Sequence, residues 1–221
     1  MENNHLFLLG GNPSQPEAMQ AFVKQAGGNK AKIALLLVYR PGWEAYLPRY
    51  TKLWIENGVD PDNISVIIPE PDGYLSMEKA VKTLRNATGI FIGGGHTKTY
   101  HFYYTNEILK SMITSQYTNG VPIAGCSAGA LILPTQVLLS PSDTDNGKAW
   151  LGEGIGLVDN VLISVHYSKW NDAANLELGL LSHDVPIGYG IDDDATLVVK
   201  DGKEFSYLGK ERVHKVINKG S

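Results

Sequence analysis

One serine of the chain has the neighbours that a nucleophilic hydroxyl requires. Ser127 is the central residue of Gly125–Gly129, whose sequence GCSAG fits the pattern G-x-S-x-G. The apolar run Val121–Ala124 precedes it, and an apolar stretch with helical spacing follows. A serine in a tight turn between a strand and a helix projects from the edge of a sheet, where it can attack a carbonyl carbon. The pattern therefore predicts Ser127 as a nucleophile.

The residue before this serine is the alternative nucleophile. Cys126 is the only cysteine of the chain, and it lies one position before the centre of the turn. We therefore interpret it as a small buried hydrophobic residue. A single cysteine also excludes an internal disulfide and a thiolate-built zinc site.

Three consecutive glycines follow another apolar run, Ile90–Ile92. Glycines allow the backbone to approach a ligand closely and to direct N–H groups at it. We expect an N–H of Gly94 or Gly95, together with that of Ala128, to stabilise the oxyanion that forms when a carbonyl is attacked. His96, directly after the glycines, is predicted to line the mouth of the pocket.

A histidine and several aspartates could complete this chemistry. His166 ends an apolar run, at a position where open α/β sheets bind ligands, and it can accept the proton of Ser127 as a general base. A third group should fix the tautomer of the imidazole. Asp193 is favoured for this role and Asp192 is next, while Asp143, in a polar loop after the serine, is a further alternative.

Positioning these residues requires strands that alternate with helices. Short apolar runs rich in β-branched residues are separated by patterns with helical spacing. Because the runs are apolar on both faces, they predict an α/β fold with a doubly wound, mainly parallel sheet flanked by helices. The predicted strands are His5–Leu9, Ile33–Val38, Ile64–Ile68, Ile90–Ile92, Val121–Ala124, Val161–His166, Ile187–Ile191 and Thr196–Val199.

The clearest helical patterns are Pro16–Gly27 and Ser76–Asn86, and a further helix should start or kink at Pro48.

The end of the chain has a different pattern. Thr196–Lys200, Glu204–Leu208 and Val213–Asn218 are short segments separated by turns that contain glycine or charged residues. This pattern predicts a small C-terminal antiparallel meander. No repeat, low-complexity tract or clear linker interrupts the sequence, so we interpret residues 1–221 as one domain.

Composition excludes several classes of protein. The chain of 221 residues is 43% hydrophobic, with 19 Lys+Arg against 23 Asp+Glu, and it lacks the clustered cations that a nucleic acid or an anionic membrane would attract. No run approaches the ~18–20 apolar residues that span a bilayer. The start Met1–His5 lacks the basic residues of a secretory signal, and only four apolar residues follow it. A cytoplasmic location is therefore predicted.

Four segments together resemble a known family. They are Gly93–Thr97, Gly125–Ala130, His166–Tyr167 and Gly190–Thr196. Their order and spacing are similar to those of peptidase family S51, the serine peptidases that include dipeptidase E and cyanophycinase. The resemblance covers roughly residues 33 to 199. It implies a flavodoxin-like fold similar to class I glutamine amidotransferases, with serine in place of their cysteine.

The resemblance also implies site residues. It implies Ser127 as nucleophile, His166 as base and backbone donors near Gly94, Gly95 and Ala128, with no metal and no cofactor. Family members differ in the third acid. Cyanophycinase-like chains have a glutamate in the segment that matches residues 191–194, whereas dipeptidase E-like chains use an aspartate in the region that matches residue 143. The choice among the aspartates stays open.

This chain departs from dipeptidase E-like sequences where they recognise substrate. Those proteins have asparagine in place of His96, and beyond the histidine they carry arginines that bind an acidic side chain. Here no arginine lies between His166 and Asp194. Lys169 could supply a positive charge, but it lacks the two-pronged geometry of a guanidinium. The sequence therefore does not predict a preference for an aspartyl residue.

The expected function is hydrolysis of short peptides through a Ser-His-Asp triad and an acyl-enzyme. One alternative is a hydrolase or amidotransferase of the same fold that acts on a non-peptide amide or ester. Another is a non-catalytic binding protein. The expected partner is a small peptide substrate, with no nucleic acid and no membrane, and the chain is expected to be a monomer or homodimer.

Overall fold

The computed structural model describes residues 4–220, except the side chain of Glu204. Strands and helices alternate through most of the chain. The strands are β1 His5–Leu9, β2 Ile33–Leu36, β3 Ile64–Ile67, β4 Gly89–Ile92, β5 Ile123–Cys126, β6 Gln136–Leu139, β7 Trp150–Glu153, β8 Val161–Val165, β9 Ile187–Ile191, β10 Ala195–Lys200, β11 Glu204–Gly209 and β12 Val213–Ile217. The α-helices are α1 Pro16–Gln25, α2 Leu47–Glu56, α3 Met77–Asn86, α4 Thr97–Tyr104, α5 Glu107–Thr118, α6 Ala128–Leu131, α7 Tyr167–Trp170 and α8 Ala173–His183.

A seven-stranded sheet with the order β11-β10-β1-β5-β4-β2-β3 forms the centre of the fold. The five strands from β1 to β3 in this order are parallel. Side chains of β1 alternate between two cores: Leu6 and Leu8 pack on one face of the sheet, and Phe7 and Leu9 on the other. This alternation explains why the parallel strands are apolar throughout. The predicted doubly wound, mainly parallel fold is confirmed.

Strands β8 and β9 lie outside the central sheet. They pair in parallel with each other, and β12 pairs antiparallel with β9 to form a separate three-stranded sheet. Both edges of β1 are already occupied, by β5 and by β10. Because a strand has two hydrogen-bonding edges, β8 and β9 cannot join the sheet at that position.

The predicted C-terminal meander is only partly correct. Strands β10 and β11 form an antiparallel hairpin that extends the central sheet beside β1. Strand β12 does not continue this hairpin but pairs with β9. The pairing of β12 satisfies backbone groups that β9 would otherwise expose on the side away from β8. The three segments are thus divided between two sheets.

Local sequence signals set the helix boundaries. Ser76 accepts a hydrogen bond from the Lys79 N–H at 3.4 Å and caps α3. Pro48 lies in the first turn of α2, which follows a 3₁₀ turn at Trp43–Tyr46. The helix therefore starts at the proline, as the sequence predicts. Across residues 4–220, no helix is both long and apolar enough to cross a membrane.

Candidate active site

The residues singled out from the sequence follow the carboxyl ends of four strands. Ser127 follows β5, the glycine triplet follows β4, His166 follows β8, and Asp193 lies after β9. In open α/β sheets the carboxyl ends of parallel strands form the crevice that binds ligands. Here β4 and β5 of the central sheet end beside β8 and β9 of the three-stranded sheet, since Ser127 contacts His166. The topology therefore brings segments distant in sequence to one end of the molecule.

The backbone of the predicted nucleophile is strained. Ser127 has φ 52° and ψ −114°, outside the ordinary regions for an L-residue. Its N–H donates to the Leu9 carbonyl at 2.9 Å, and its carbonyl accepts from the Leu131 N–H at 3.0 Å. A Cβ at Gly125 or Gly129 would overlap neighbouring backbone atoms. The flanking glycines therefore permit the tight turn that holds the serine.

The imidazole of His166 contacts the serine hydroxyl. Its Nε2 lies 2.9 Å from Ser127 Oγ, and its Nδ1 forms a short hydrogen bond with Asp193 Oδ1. Because an ionised carboxylate can only accept, Nδ1 carries the proton and Nε2 accepts from the hydroxyl. The ring also packs against Trp170, with ring centroids 4.4 Å apart. We refer to Ser127, His166 and Asp193 as the candidate triad.

Asp193 is held as a carboxylate by two donors. Burial, the largest influence, acts to raise its pKa, but hydrogen bonds from His166 and Lys169 outweigh burial and place the pKa below its ordinary value. The Lys169 ammonium donates to Asp193 Oδ2 at 3.1 Å. The lysine considered for substrate binding is therefore paired with the acid of the candidate triad.

The other two candidate acids have different partners. Asp192 accepts from the Ser168 N–H at 2.9 Å and from His214 Nε2 at 2.9 Å, so it anchors the start of α7. Asp143 accepts from the Thr97 hydroxyl and lines the pocket wall. Burial raises the pKa of Asp143, and the hydrogen bond from Thr97 only partly opposes it. Of the three acids, only Asp193 is hydrogen-bonded to the imidazole in the described part of the chain.

The glycine loop is fixed by two buried tyrosines. Gly94 donates its N–H to the Tyr50 hydroxyl at 3.1 Å, and its carbonyl accepts from the Tyr100 hydroxyl at 3.2 Å. Within residues 4–220, the N–H groups of Gly95 and Ala128 have no acceptor. These two N–H groups are thus available to an oxyanion, whereas that of Gly94 is committed to Tyr50.

The thiol next to the predicted nucleophile is buried. Cys126 is 1% exposed, and burial raises its pKa to about 12. A thiol with this pKa carries almost no thiolate at neutral pH, and thiolate is the nucleophilic form.

A cavity of about 280 Å³ contains Ser127 and His166 at its wall. Its lining also includes residues that were not selected from the sequence, namely Gly11, Pro13, Arg40, Tyr46, Arg49 and Tyr50. His96 lines a neighbouring cavity of about 170 Å³ instead, and its Nδ1 is 2.8 Å from Thr99 Oγ1. The pocket therefore has a wall, formed after β2, that motif analysis did not detect.

Gly11 is a missed residue that packs against the candidate triad. It follows β1, and a Cβ at this position would overlap the Asp193 carboxylate and the His166 ring. The sequence did hold a signal, because Gly10 and Gly11 follow an apolar run as the other glycine loop does. In the described residues, no group of three or more His, Cys, Asp or Glu side chains is arranged to hold a metal ion.

Comparisons with known proteins identify the family to which the chain is similar. The model of peptidase family S51 matches residues 6–206. Cyanophycinases from Nostoc sp. and Synechococcus elongatus are each 24% identical over 201 residues, covering 89% of this chain and 67% and 62% of their own lengths. The chain thus spans about two thirds of the length of these relatives.

Solved structures share the fold. A peptidase from an acI-B1 actinobacterium superposes with a TM-score of 0.73 at 21% identity, covering 98% of this chain and 95% of that one. A candidate peptidase E protein from Listeria monocytogenes superposes with a TM-score of 0.66 at 16% identity, covering 95% of this chain and 100% of that one. The resemblance drawn from the four sequence segments is confirmed, and the chain belongs to peptidase family S51, a family of serine peptidases.

Proposed function

We propose that this chain hydrolyses short peptides through an acyl-enzyme formed on Ser127. The observation that carries the proposal is the continuous set of hydrogen bonds from Ser127 Oγ through His166 to Asp193. This arrangement supports removal of the hydroxyl proton at neutral pH, which attack by a serine requires. Membership of peptidase family S51 supports a peptide as the substrate.

Acylation starts with transfer of the hydroxyl proton to His166 Nε2. Ser127 Oγ then bonds to the scissile carbonyl carbon, and the carbonyl electron pair moves onto oxygen. The N–H groups of Gly95 and Ala128 stabilise that oxyanion. When the tetrahedral intermediate collapses, the C–N bond breaks and His166 gives its proton to the leaving amine.

Deacylation repeats these steps with water. His166 takes a proton from the water molecule, whose oxygen attacks the ester carbonyl, and then returns a proton to Ser127 Oγ as the acid is released. Asp193 holds the imidazole in the required tautomer and stabilises the imidazolium in both half-reactions. Lys169 contacts the other carboxylate oxygen and so fixes the orientation of Asp193.

Labelling with a fluorophosphonate tests the nucleophile. We expect intact-mass analysis to show one adduct on the native protein and peptide mapping to place it on Ser127. The matched controls are Ser127→Ala, which should not be labelled, and Cys126→Ala, which should be labelled like the native chain. An adduct on another residue, or hydrolysis without an adduct, would contradict the proposed role of Ser127.

A substrate panel tests the reaction class. We expect cleavage within a library of dipeptides and tripeptides, with weaker or no turnover of simple esters and non-peptide amides. The reverse ranking would favour the non-peptide hydrolase. A chain that binds peptides without cleaving any, and whose affinity is unchanged by Ser127→Ala, would be a non-catalytic binding protein.

Four expectations from the sequence stay predictions: a cytoplasmic location, a monomeric or homodimeric state, one domain, and the absence of a metal or cofactor.

A further inference from the structure

Two arginines line the cavity that contains the candidate triad. Arg40 lies between β2 and the 3₁₀ turn at Trp43–Tyr46, and Arg49 lies in the first turn of α2. Both side chains are solvent-exposed. With Tyr46 and Tyr50 they form a surface that we call the arginine wall.

Neither guanidinium is neutralised by an acid among the described residues. In the described part of the chain, Arg40 and Arg49 form no ion pair. Asp193 bonds to His166 and Lys169. Asp143 lines the same cavity as the arginines, but it accepts a hydrogen bond from Thr97 and forms no ion pair with either of them among the described residues. The arginine wall therefore presents two positive charges to whatever enters the cavity.

Local contacts restrict the positions of Arg40 and Arg49 in the absence of a ligand. The guanidinium carbon of Arg40 lies 3.6 Å from the centroid of the Tyr46 ring. Stacking of this kind leaves the N–H edge of the guanidinium free for an acceptor in its plane. The backbone of Arg49 is tied to the loop after β1, because its carbonyl accepts from the Ser14 hydroxyl at 2.6 Å.

The arginine wall adjoins the glycine loop. Arg40, Tyr46 and Tyr50 line both the cavity at the candidate triad and the neighbouring one, and Gly94 and Gly95 also line both. Tyr50 accepts the N–H of Gly94. Burial dominates the raised pKa of Tyr50, and the nearby guanidinium groups oppose it. The positive charges thus lie close to the loop that supplies an oxyanion donor.

We propose that Arg40 and Arg49 bind a carboxylate of the peptide substrate while Ser127 attacks its scissile carbonyl. This inference rests on the proposed function. A planar guanidinium can grip a carboxylate through two parallel hydrogen bonds, which a lysine cannot do. The carboxylate comes from an acidic side chain or from the C-terminus of a short peptide.

The test compares kcat/KM for matched peptides that differ in one carboxylate. The probes are Asp-Ala-Leu, Asn-Ala-Leu, Ala-Asp-Leu and Ala-Asn-Leu, each with a free or an amidated C-terminus. The variants are Arg40→Gln, Arg49→Gln and the double variant. Loss of charge-assisted hydrogen bonds should lower kcat/KM about 10- to 100-fold for the carboxylate-bearing peptide. The neutral counterpart should change by less than about 3-fold.

The pattern of loss identifies the source of the carboxylate. Selective loss on the aspartyl peptides assigns an acidic side chain, and selective loss on the free acids assigns the C-terminus; either supports the inference. Arg40→Lys and Arg49→Lys should retain part of the selectivity, and Arg85→Gln, in α3, should leave it unchanged. Equal loss on charged and neutral peptides, or no loss, would overturn the inference. Fluorophosphonate labelling of Ser127 in the native protein, measured alongside, separates this result from failure of the proposed function.

Discussion

The candidate triad and the arginine wall line one cavity, but they differ in whether their charged and polar side chains have partners within the protein. In the candidate triad each polar side chain is bonded to another, from Ser127 through His166 to Asp193, and Lys169 satisfies the remaining carboxylate oxygen. In the arginine wall, Arg40 and Arg49 have no acidic partner among the described residues. The side chains proposed to carry out the chemistry are thus held in place by hydrogen bonds within the protein. The two guanidinium groups have no such partner and are available to bind a ligand.

The comparison predicts two kinds of mutational effect. Changes to the candidate triad should lower kcat for every peptide alike, because they alter the chemical steps. Changes to Arg40 or Arg49 should alter the ranking of peptides. Four predictions follow, from the largest expected effect to the smallest; the first three concern kcat and the fourth concerns stability.

Loss of the Asp193 charge should have the largest effect. In Asp193→Asn the amide can donate to Nδ1 and favour the wrong imidazole tautomer, so we expect kcat to fall by on the order of 10³–10⁴ for all peptides. Asp143→Asn is the matched control and should lower kcat less than about 10-fold. Steady-state kinetics on both variants measure the two losses of kcat. A larger loss in Asp143→Asn than in Asp193→Asn would assign the orientation of the imidazole to Asp143.

Crowding of the candidate triad should have the next largest effect. A Cβ in Gly11→Ala would overlap His166 and Asp193, and a displacement of about 1 Å can cost about 10² in kcat. We expect this loss without a change in peptide ranking. Gly120→Ala is the control, since its Cβ meets no atom although its φ is 85°. Native activity in Gly11→Ala would mean that the close approach is not required.

Release of the glycine loop should have a smaller effect. Tyr50→Phe removes the hydroxyl that accepts the Gly94 N–H, so the loop is less well positioned, and we expect kcat to fall about 10-fold with little change in KM. Tyr117→Phe is a matched control, because its buried hydroxyl has no hydrogen-bond partner within residues 4–220. A loss confined to KM would place Tyr50 in substrate binding rather than in loop positioning.

The smallest effect should be on stability. Burial raises the pKa of Asp143 in the folded state, so folding is most favoured when this acid is protonated. Its contribution to the free energy of unfolding falls as pH rises from the unfolded pKa of about 3.9 toward the folded value, and stays low above it. We expect Asp143→Asn to be more stable than the native protein at pH 7 and to lose this pH dependence. Urea unfolding at pH 4 and pH 7 measures both, and a destabilised variant at pH 7 would contradict the expectation.

Short-range constraints account for what could be predicted from the sequence. Ser127 and the glycines around it form a local pattern, because the tight turn leaves room only for hydrogen beside the backbone. His166 and Asp193 each follow an apolar run, and the topology places both runs at one edge. The parallel sheet could be predicted for the same reason, since strands buried on both faces are apolar throughout.

Long-range geometry accounts for what was missed. Arg40 and Arg49 lie in a segment with no distinctive pattern, and only the position of β2 brings it to the cavity. The pairing of β12 with β9 depends on which strand edges remain free after the central sheet has formed, which a local pattern does not encode. The commitment of the Gly94 N–H to Tyr50 likewise joins residues 44 positions apart.

A crystal structure of the protein trapped with a peptidyl fluorophosphonate would test the central claim most directly. We predict a covalent bond from phosphorus to Ser127 Oγ and a phosphoryl oxygen within about 3 Å of the Gly95 and Ala128 nitrogens. His166 should remain between Ser127 and Asp193. An adduct on a different residue, or an imidazole that no longer contacts both partners, would contradict the account.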